Sequence, residues 1–437
     1  MTEVKEDQVE EQIESSEIVE ERDDDVEEVE TVAEVKQVKY EQGKYRTIGE
    51  FLKTIVFQAL EMDSSDIHIE PQEKRVVVRF RIDGLLREVL TMDKNLYRTL
   101  LFKIKVESKM KTDEHFAPQD GKIQFEYGTN KLDTRISVLP TTRGEKIVMR
   151  LLSSEGKTFT LEELGLEDRD LEVVKKSYSK PYGTIFAVGP TGSGKTTTLY
   201  SMLKILNSKE VNITTVEDPV EYSIVGVNHV QINPKADLTF ANVLRSILRQ
   251  DPDIIMVGEI RDSETASIAI NAAMTGHLVL STLHTNDAAS AIPRLIDMGI
   301  EDFLIASTLN VIIAQRLARR LCQQCKKETT ITKEEYQELQ KMRSDLADLV
   351  KEGDKVFKEQ GCEKCSSNGF KGRVGLYEVL LINKQIRHII TSGANIDELL
   401  DQARKDGMTL IVEDGVKKVK AGMISLNELI RVTAIKE

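Results

Sequence analysis

One eight-residue run, Gly189-Pro190-Thr191-Gly192-Ser193-Gly194-Lys195-Thr196, constrains this chain of 437 residues more than any other feature. It matches G-x-x-x-x-G-K-[ST] throughout, follows an apolar run (Thr184–Val188) expected as a strand, and opens a helix expected over Thr197–Asn207. Glycines at these positions let backbone N–H groups turn inward, and the helix start adds the positive end of its dipole. Such a loop cradles a phosphate chain, whereas a chance glycine-rich turn would lack the strand before it and the helix after it. Lys195 is expected to reach the β- and γ-phosphates and the Thr196 hydroxyl to ligate Mg²⁺, with Thr197 beside them.

The surrounding pattern suits such a loop. Apolar runs at Thr184–Val188, Ile213–Val216, Ile254–Val257 and Leu278–Thr282 alternate with helical spacing, which predicts an α/β fold with a parallel sheet and crossover helices. Ahead of it, residues 41–154 predict a small α+β N-terminal domain. Its expected elements are a helix over Thr47–Met62 and alternating strands at Asp66–Glu70, Val76–Asp83, Ile123–Tyr127 and Asp133–Ser137. A polar linker is expected over 155–178 and the phosphate-binding domain over 179–437.

Charge is unevenly spread. Residues 1–38 carry 16 acidic and three basic side chains, which accounts for the whole net charge of −13, and the rest of the chain is balanced. The segment 1–40 is expected to be a disordered acidic tail, although Val26, Val29, Val32 and Val35 would line one helix face for a partner. A balanced body without a basic run gives no sign of nucleic-acid binding, and a chain without tryptophan offers no stacking platform. The longest charge-free stretch near the apolar centre, Thr265–Asn286, is too polar to span a membrane. The N-terminus shows no apolar signal-peptide core, so the expected location is the cytosol.

Two strand ends supply acids. Thr215–Glu221 (TVEDPVE) places Glu217, Asp218 and Glu221 after an apolar strand, and Asp253–Glu259 (DIIMVGE) ends a buried strand in Glu259. Carboxyl ends of strands in open α/β sheets face the ligand crevice, so both groups are candidates for metal and water. Gly258 occupies the position where an Asp commonly ligates Mg²⁺, so Glu259 is expected to act on both. Solvated loop carboxylates are the alternative. All four cysteines form two C-x-x-C pairs, Cys322/Cys325 and Cys362/Cys365, within an element expected over 320–375. That spacing reads as a structural Zn²⁺ site of four thiolates, with redox disulfides as the alternative.

Four segments in order now carry a resemblance: GPTGSGKTT, TVEDPVEY (Thr215–Tyr222), DIIMVGEIRD (Asp253–Asp262) and TGHLVLSTLHTNDA (Thr275–Ala288). Together they resemble the secretion ATPase superfamily, the motors of type II secretion and type IV pili, from about Tyr45 to the C-terminus. The resemblance implies a RecA-like P-loop core and a homohexameric ring with ATP bound between subunits. It implies that His284 and His277 belong to a histidine box near the γ-phosphate; read bare, two histidines on an apolar strand would more often be hydrogen-bonded core residues. Arg135 and Arg150 in the N-terminal domain, with Arg245, Arg249 and Arg261, match family arginines that contact phosphate or the subunit interface. Surface salt bridges are the alternative for each. The tetracysteine element and Gly369–Gly375 resemble the assembly branch, in which Arg373 is expected to reach a neighbouring nucleotide.

The resemblance implies a Mg²⁺-dependent ATP hydrolase, peripheral to the cytoplasmic face of the inner membrane. Its expected partners are an inner-membrane platform protein and a membrane-associated docking protein, and it would drive pilin or pseudopilin assembly or protein secretion. Many members carry a further globular N-terminal domain; here the acidic tail stands in its place. Two rival readings are a ring ATPase for nucleic-acid translocation or conjugation, and a nucleotide-gated scaffold.

Overall fold

The computed structural model describes residues 47–127, 130–153, 159–393 and 395–434, so the expected acidic tail lies outside it. The first lobe starts at α1 (Ile48–Glu61), where the Thr47 side chain accepts the N–H of Glu50 at 3.2 Å and caps the helix. There follow β1 (Ser64–Pro71), β2 (Val76–Ile82), β3 (Leu85–Met92), α2 (Lys94–Glu107), β4 (Gln119–Tyr127), β5 (Asn130–Thr141) and β6 (Gly144–Ser153). The six strands form one antiparallel sheet in the order β3-β2-β1-β6-β5-β4.

Strand alternation sorts the two faces of this sheet. Ile67, Ile69, Val78, Phe80, Ile136, Val138, Ile147 and Met149 pack with Phe51, Leu52, Ile55 and Val56 of α1 and Leu100 and Ile104 of α2. Truncating a fully buried Phe51 or Phe80 to alanine would cost about 3–5 kcal/mol. The other face carries ion pairs: Glu70 takes Arg79 at 2.6 Å and Lys146 at 2.7 Å, and Asp66 takes Arg150 at 3.2 Å.

The second lobe contains α3 (Asp168–Tyr178), β7 (Gly183–Val188), α4 (Lys195–Leu206), β8 (Ile213–Glu217), β9 (Val227–Gln231), α5 (Phe240–Ile247), β10 (Ile254–Val257), α6 (Ser263–Met274), β11 (Leu278–Leu283), α7 (Ala291–Asp297), α8 (Asp302–Thr308) and β12 (Leu309–Leu321). After β12 come β13 (Lys327–Thr330), α9 (Lys333–Met342), α10 (Ser344–Ala347), β14 (Lys355–Lys358), β15 (Phe370–Leu381), α11 (Lys384–Thr391), α12 (Ile396–Lys405), α13 (Ile411–Lys420) and α14 (Leu426–Thr433). The main sheet runs β15-β12-β7-β11-β10-β8-β9, parallel except where β15 meets β12.

This sheet is covered on both sides, as its uninterrupted apolar strands require. One cluster joins Phe186, Val188, Ile255 and Val257 to α5, α6, α8 and α11, and a second joins Ile185, Ala187, Met256 and Ile313 to α3 and α4. The expected linker is shorter than its polarity suggested. Leu161, Leu166, Val173, Val174 and Tyr178 are buried in that second cluster, so the described part of 155–178 from Leu161 onward belongs to the lobe. Of the charged residues on its helix, Glu172 and Lys176 are exposed, whereas Arg169 turns inward to donate to the Val379 and Asp406 carbonyls at 3.3 Å.

The long antiparallel pair β12–β15 carries a small subdomain at its far end. There β13, β14, α9, α10, α13 and α14 enclose Ile331, Leu339, Leu346, Val356, Val419 and Leu429. Among the described residues no helix is long and apolar enough to cross a membrane.

Candidate nucleotide site

The glycine-rich loop joins the carboxyl end of β7 to α4. Gly189 has φ +144°, and a Cβ there would fall 2.5 Å from the Gln315 carbonyl oxygen; Gly194 has φ +90° at the start of the helix. Only glycine allows the loop to bend at these two points while lying against β12. Gln315 braces it from below: its Nε2 donates to the Ser193 carbonyl at 2.7 Å, and its Oε1 accepts from Thr198 Oγ1 at 2.9 Å. The tip, Pro190, Thr191 and Gly192, is exposed, and Thr196 and Thr197 are half-buried beside it.

Lys195 is buried beneath this tip. Its Nζ donates to the carbonyls of Gly189 at 2.8 Å and Pro190 at 3.1 Å. Burial pulls the ammonium below its ordinary value and Arg316 adds to the effect, while the carboxylate of Glu259 opposes it. Arg316 reaches across from β12 to donate to the Asn286 carbonyl at 3.0 Å, and its Nη1 is buried without a hydrogen-bond partner.

Glu259 stands just beyond β10 with its carboxylate largely covered. Arg261 pairs with one oxygen, and His284 Nε2 donates to the other at 3.2 Å. This brings together the carboxyl ends of β10 and β11, as strand order predicts. Gly258 has a packing reason: a Cβ there would sit 3.3 Å from the Val216 carbonyl oxygen on the adjoining β8.

His277 does not join this group. It precedes β11 and donates Nδ1–H to the Ala272 carbonyl at 2.9 Å. It lies seven residues before His284, and β11 between them puts the two about 23 Å apart, at opposite ends of the strand.

The acids after β8 divide in the same way. Glu217 is buried, accepting from Tyr200 OH and Thr215 Oγ1 and facing His229 Nδ1 at 2.9 Å. Asp218 is exposed. Glu221 looks into the cleft between the lobes; burial pushes its carboxyl up, and Arg150 and Arg135 pull it back. Arg135 also donates from Nη2 to the Val220 carbonyl at 2.9 Å, a direct bond from the first lobe to the second. This cleft encloses about 770 Å³ and reaches from Gly194 and Thr197 to Ser64 and Asp83. Arg373 lies on its wall, 3.9 Å from Asp83. Arg245 and Arg249 lie elsewhere, exposed on and just after α5, where Arg245 pairs with Glu264 and Arg249 bonds its own helix.

The four cysteines converge from two turns after β12 and before β15. Their sulfurs lie within 4.8 Å of one another, with Cys322–Cys362 at 3.8 Å and both Cys325–Cys365 and Cys362–Cys365 at 3.7 Å. A tetrahedron of Zn–S bonds about 2.3 Å long has S···S edges of about 3.8 Å, so the spacing suits such a metal. Burial would raise the Cys365 thiol, but backbone N–H groups of Cys362 at 3.1 Å and Gly369 at 3.2 Å donate to its sulfur, and it is lowered to about 7.

A sequence model described as "Type II/IV secretion system protein" matches residues 41–431. The chain belongs to this family. It is 45% identical over 383 residues to the type IV pilus assembly ATPase PilB of Thermus thermophilus, covering 88% of this chain and 42% of that protein. It is 44% identical over 399 residues to type II secretion system protein E of Pseudomonas aeruginosa, covering 90% and 77% respectively. Among solved structures, the pilus retraction motor PilT with bound ADP matches with a TM-score of 0.57 and 26% identity, over 87% of this chain and 96% of PilT.

As a member of the secretion ATPase family the chain is an ATP hydrolase. Several of its site residues carry no motif. Gln315 and Arg316 end the apolar run Leu309–Ala314, and a glutamine buried there was the only signal that β12 borders the loop. Tyr200, His229 and Tyr377 read as ordinary helix and strand residues and acquire roles only by contact.

Proposed function

We propose that this chain is the Mg²⁺-dependent ATPase motor of a fibre-assembly or protein-secretion apparatus. It would act as a homohexamer on an inner-membrane platform protein, peripheral to the cytoplasmic face and tethered there by a docking protein. One observation carries the reading: the Lys195 cradle and the Glu259–His284 pair stand at strand ends of the second lobe, while Arg135 and Arg150 of the first lobe reach the Glu221 segment that follows β8 in that same lobe.

Thr196 and Glu259 would hold Mg²⁺, which neutralises charge on the β- and γ-phosphate oxygens. Lys195 adds its ammonium to the same oxygens, and the loop N–H groups bind the β-phosphate. Glu259 orients the attacking water. His284, bonded to Glu259, senses the change in charge when the γ-phosphate leaves.

Arg135 and Arg150 come from a separate lobe, so their charge reaches the phosphates only as the lobes close. Hydrolysis is thereby tied to rigid-body movement. Arg245, Arg249 and Arg261 are exposed and suited to a neighbouring subunit's nucleotide, and Arg373 borders the same cleft. The four cysteines would hold Zn²⁺ with no open coordination position, so the metal staples the subdomain and takes no part in hydrolysis.

The test is ATP turnover by the assembled oligomer, with and without the cytoplasmic domain of a platform protein. Hexamers by native mass measurement and platform-stimulated turnover are expected. Salt-sensitive stimulation by DNA in place of platform stimulation would identify a nucleic-acid translocase instead.

A further inference from the structure

Glu217 differs from every other acid near the nucleotide loop. It is 2% exposed, and its two oxygens are occupied by three donors from three elements. Tyr200 OH comes from α4, the helix that begins at Lys195; Thr215 Oγ1 donates from β8 at 2.6 Å; His229 Nδ1 approaches from β9 at 2.9 Å. The backbone N–H of Ile224 donates to His229 Nε2 at 3.1 Å, so the ring's proton is on Nδ1, which faces both the Glu217 carboxylate and Thr215 Oγ1 at 2.9 Å. Burial and the adjoining carboxylate hold the Tyr200 phenol above its ordinary value, so it remains a donor.

These contacts flank the segment 218–226, with Glu217 before it and His229 after it. Tyr222 packs edge-on against Tyr200 with ring centroids 4.7 Å apart, and Ile224 is tied through His229. Just ahead of Tyr222 lie Val220, whose carbonyl takes Arg135, and Glu221, which faces the cleft. The carboxylate that supports the Lys195 ammonium is Glu259. A carboxylate with three donors in a closed environment has little capacity left for a metal ion or a water.

We propose that Glu217 is a positioning residue: with Tyr200 and His229 it clamps the 218–226 segment to the nucleotide-loop helix, so that Glu221 meets the arginines of the first lobe. This rests on the ATPase reading above. Movement of α4 when the loop grips phosphate is then transmitted to the Glu221 side of the cleft through buried hydrogen bonds. Tyr200 lies five residues after Lys195 on α4, and Glu221 lies four residues after Glu217, so the connection is short.

The experiment uses the full chain and compares Glu217→Gln, Tyr200→Phe, His229→Asn and the double variant Tyr200→Phe/Glu217→Gln with wild type and Glu259→Gln. Each of the first three should lower kcat by about tenfold, leave KM for ATP and the Mg²⁺ dependence unchanged, and fail to add in the double variant. His229→Asn, which keeps a donor near Nδ1, should retain more turnover than His229→Ala. Because the chain has no tryptophan, Tyr222→Trp supplies a single reporter of the segment, and its emission should shift to the red when Glu217→Gln is added.

Loss of turnover in Glu217→Gln equal to that in Glu259→Gln, or a displaced Mg²⁺ dependence, would overturn the proposal by making Glu217 a catalytic residue. Lower melting temperatures with kcat and emission unchanged would overturn it by leaving only packing. If the wild type hydrolyses no ATP, the ATPase reading fails by itself, and the emission shift still decides whether Glu217 clamps the segment. Tyr200→Phe and His229→Asn carry the test should Glu217→Gln not fold.

Discussion

Lys195 shows how little of a binding site resides in one side chain. Its ammonium is useful because Gly189 and Gly194 bend the loop and Gln315 holds the bend against β12. Lys195→Ala should abolish measurable ATP turnover and weaken nucleotide binding in equilibrium titration, with melting temperature nearly unchanged. Glu259→Gln should bind ATP normally while kcat falls by about a hundredfold or more, because water orientation fails but the phosphate cradle is intact. Wild-type turnover in Glu259→Gln would remove this acid from the mechanism. Gly189→Ala should be as inactive as Lys195→Ala for a different reason. A methyl group 2.5 Å from a carbonyl oxygen, at φ +144°, should displace the loop and cost about 1–3 kcal/mol, visible as a lowered melting temperature.

At the scale of elements, the subdomain beyond β12 and β15 has two independent fastenings. One is the cysteine cluster. Cys362→Ser should reduce bound zinc clearly below one per subunit in metal-replete, reduced protein, and chelation should expose residues 323–361 to proteolysis while the nucleotide lobe stays folded. Full zinc occupancy after that substitution would rule out the tetrathiolate.

The other fastening is Glu428 on α14, fully buried between Arg319 and Arg431. Burial alone would raise its carboxyl, but hydrogen bonds from Arg431 and Arg319 prevail and hold it below the ordinary range. The sign follows from that lowering. The stabilisation is complete above the unfolded-state value of about 4.3 and is lost as pH falls through the lower folded value. Glu428→Ala should destabilise the subdomain by about 3–5 kcal/mol near neutral pH, since two arginines lose their counter-charge, and the deficit should shrink in strong acid. Denaturant unfolding at two pH values measures it.

For the whole molecule the central question is where the two lobes pivot. The chain enters the second lobe at a rigid point. Lys418 Nζ, 1% exposed, donates to the carbonyls of Gly165 and Gly375 at 2.8 Å and to Asp414 at 2.7 Å, and Tyr377 OH donates to the Leu164 carbonyl at 3.3 Å. The residues from Leu161 onward are therefore built into the nucleotide lobe. Spin labels at the exposed positions Phe102 and Ile205 should change their separation by several Å when ATP binds. An unchanged distance in every nucleotide state would leave the proposed motor without a stroke. Arg135→Ala, which removes the bond to Val220, should lower kcat more than it alters KM for ATP.

Much of this protein could be read from sequence because the relevant physics is local. A strand, a glycine turn and a helix dipole are contiguous, so the Lys195 loop was legible outright. The C-x-x-C pairs marked two turns whose sulfurs converge, and the apolar runs marked β7, β8, β10 and β11. Other elements were hidden. Segments such as β3 (LLREVLTM) alternate weakly, and α3 has the polarity of a linker because only one narrow stripe of it faces the core.

The site itself was half visible. Sequence order placed Glu217, Glu221 and Glu259 at strand ends but could not say which way each side chain turns. Strand pairing turned Glu217 inward onto Tyr200 and His229 and left Glu221 facing Arg135 and Arg150. The same pairing put His284 against Glu259 and His277 at the far end of β11, although the two histidines look alike in sequence. Chemistry carried by consecutive residues is determined by the sequence itself. Which carboxylate meets solvent, phosphate or a buried phenol depends on partners 12 to 85 residues away, and only the folded sheet brings those together.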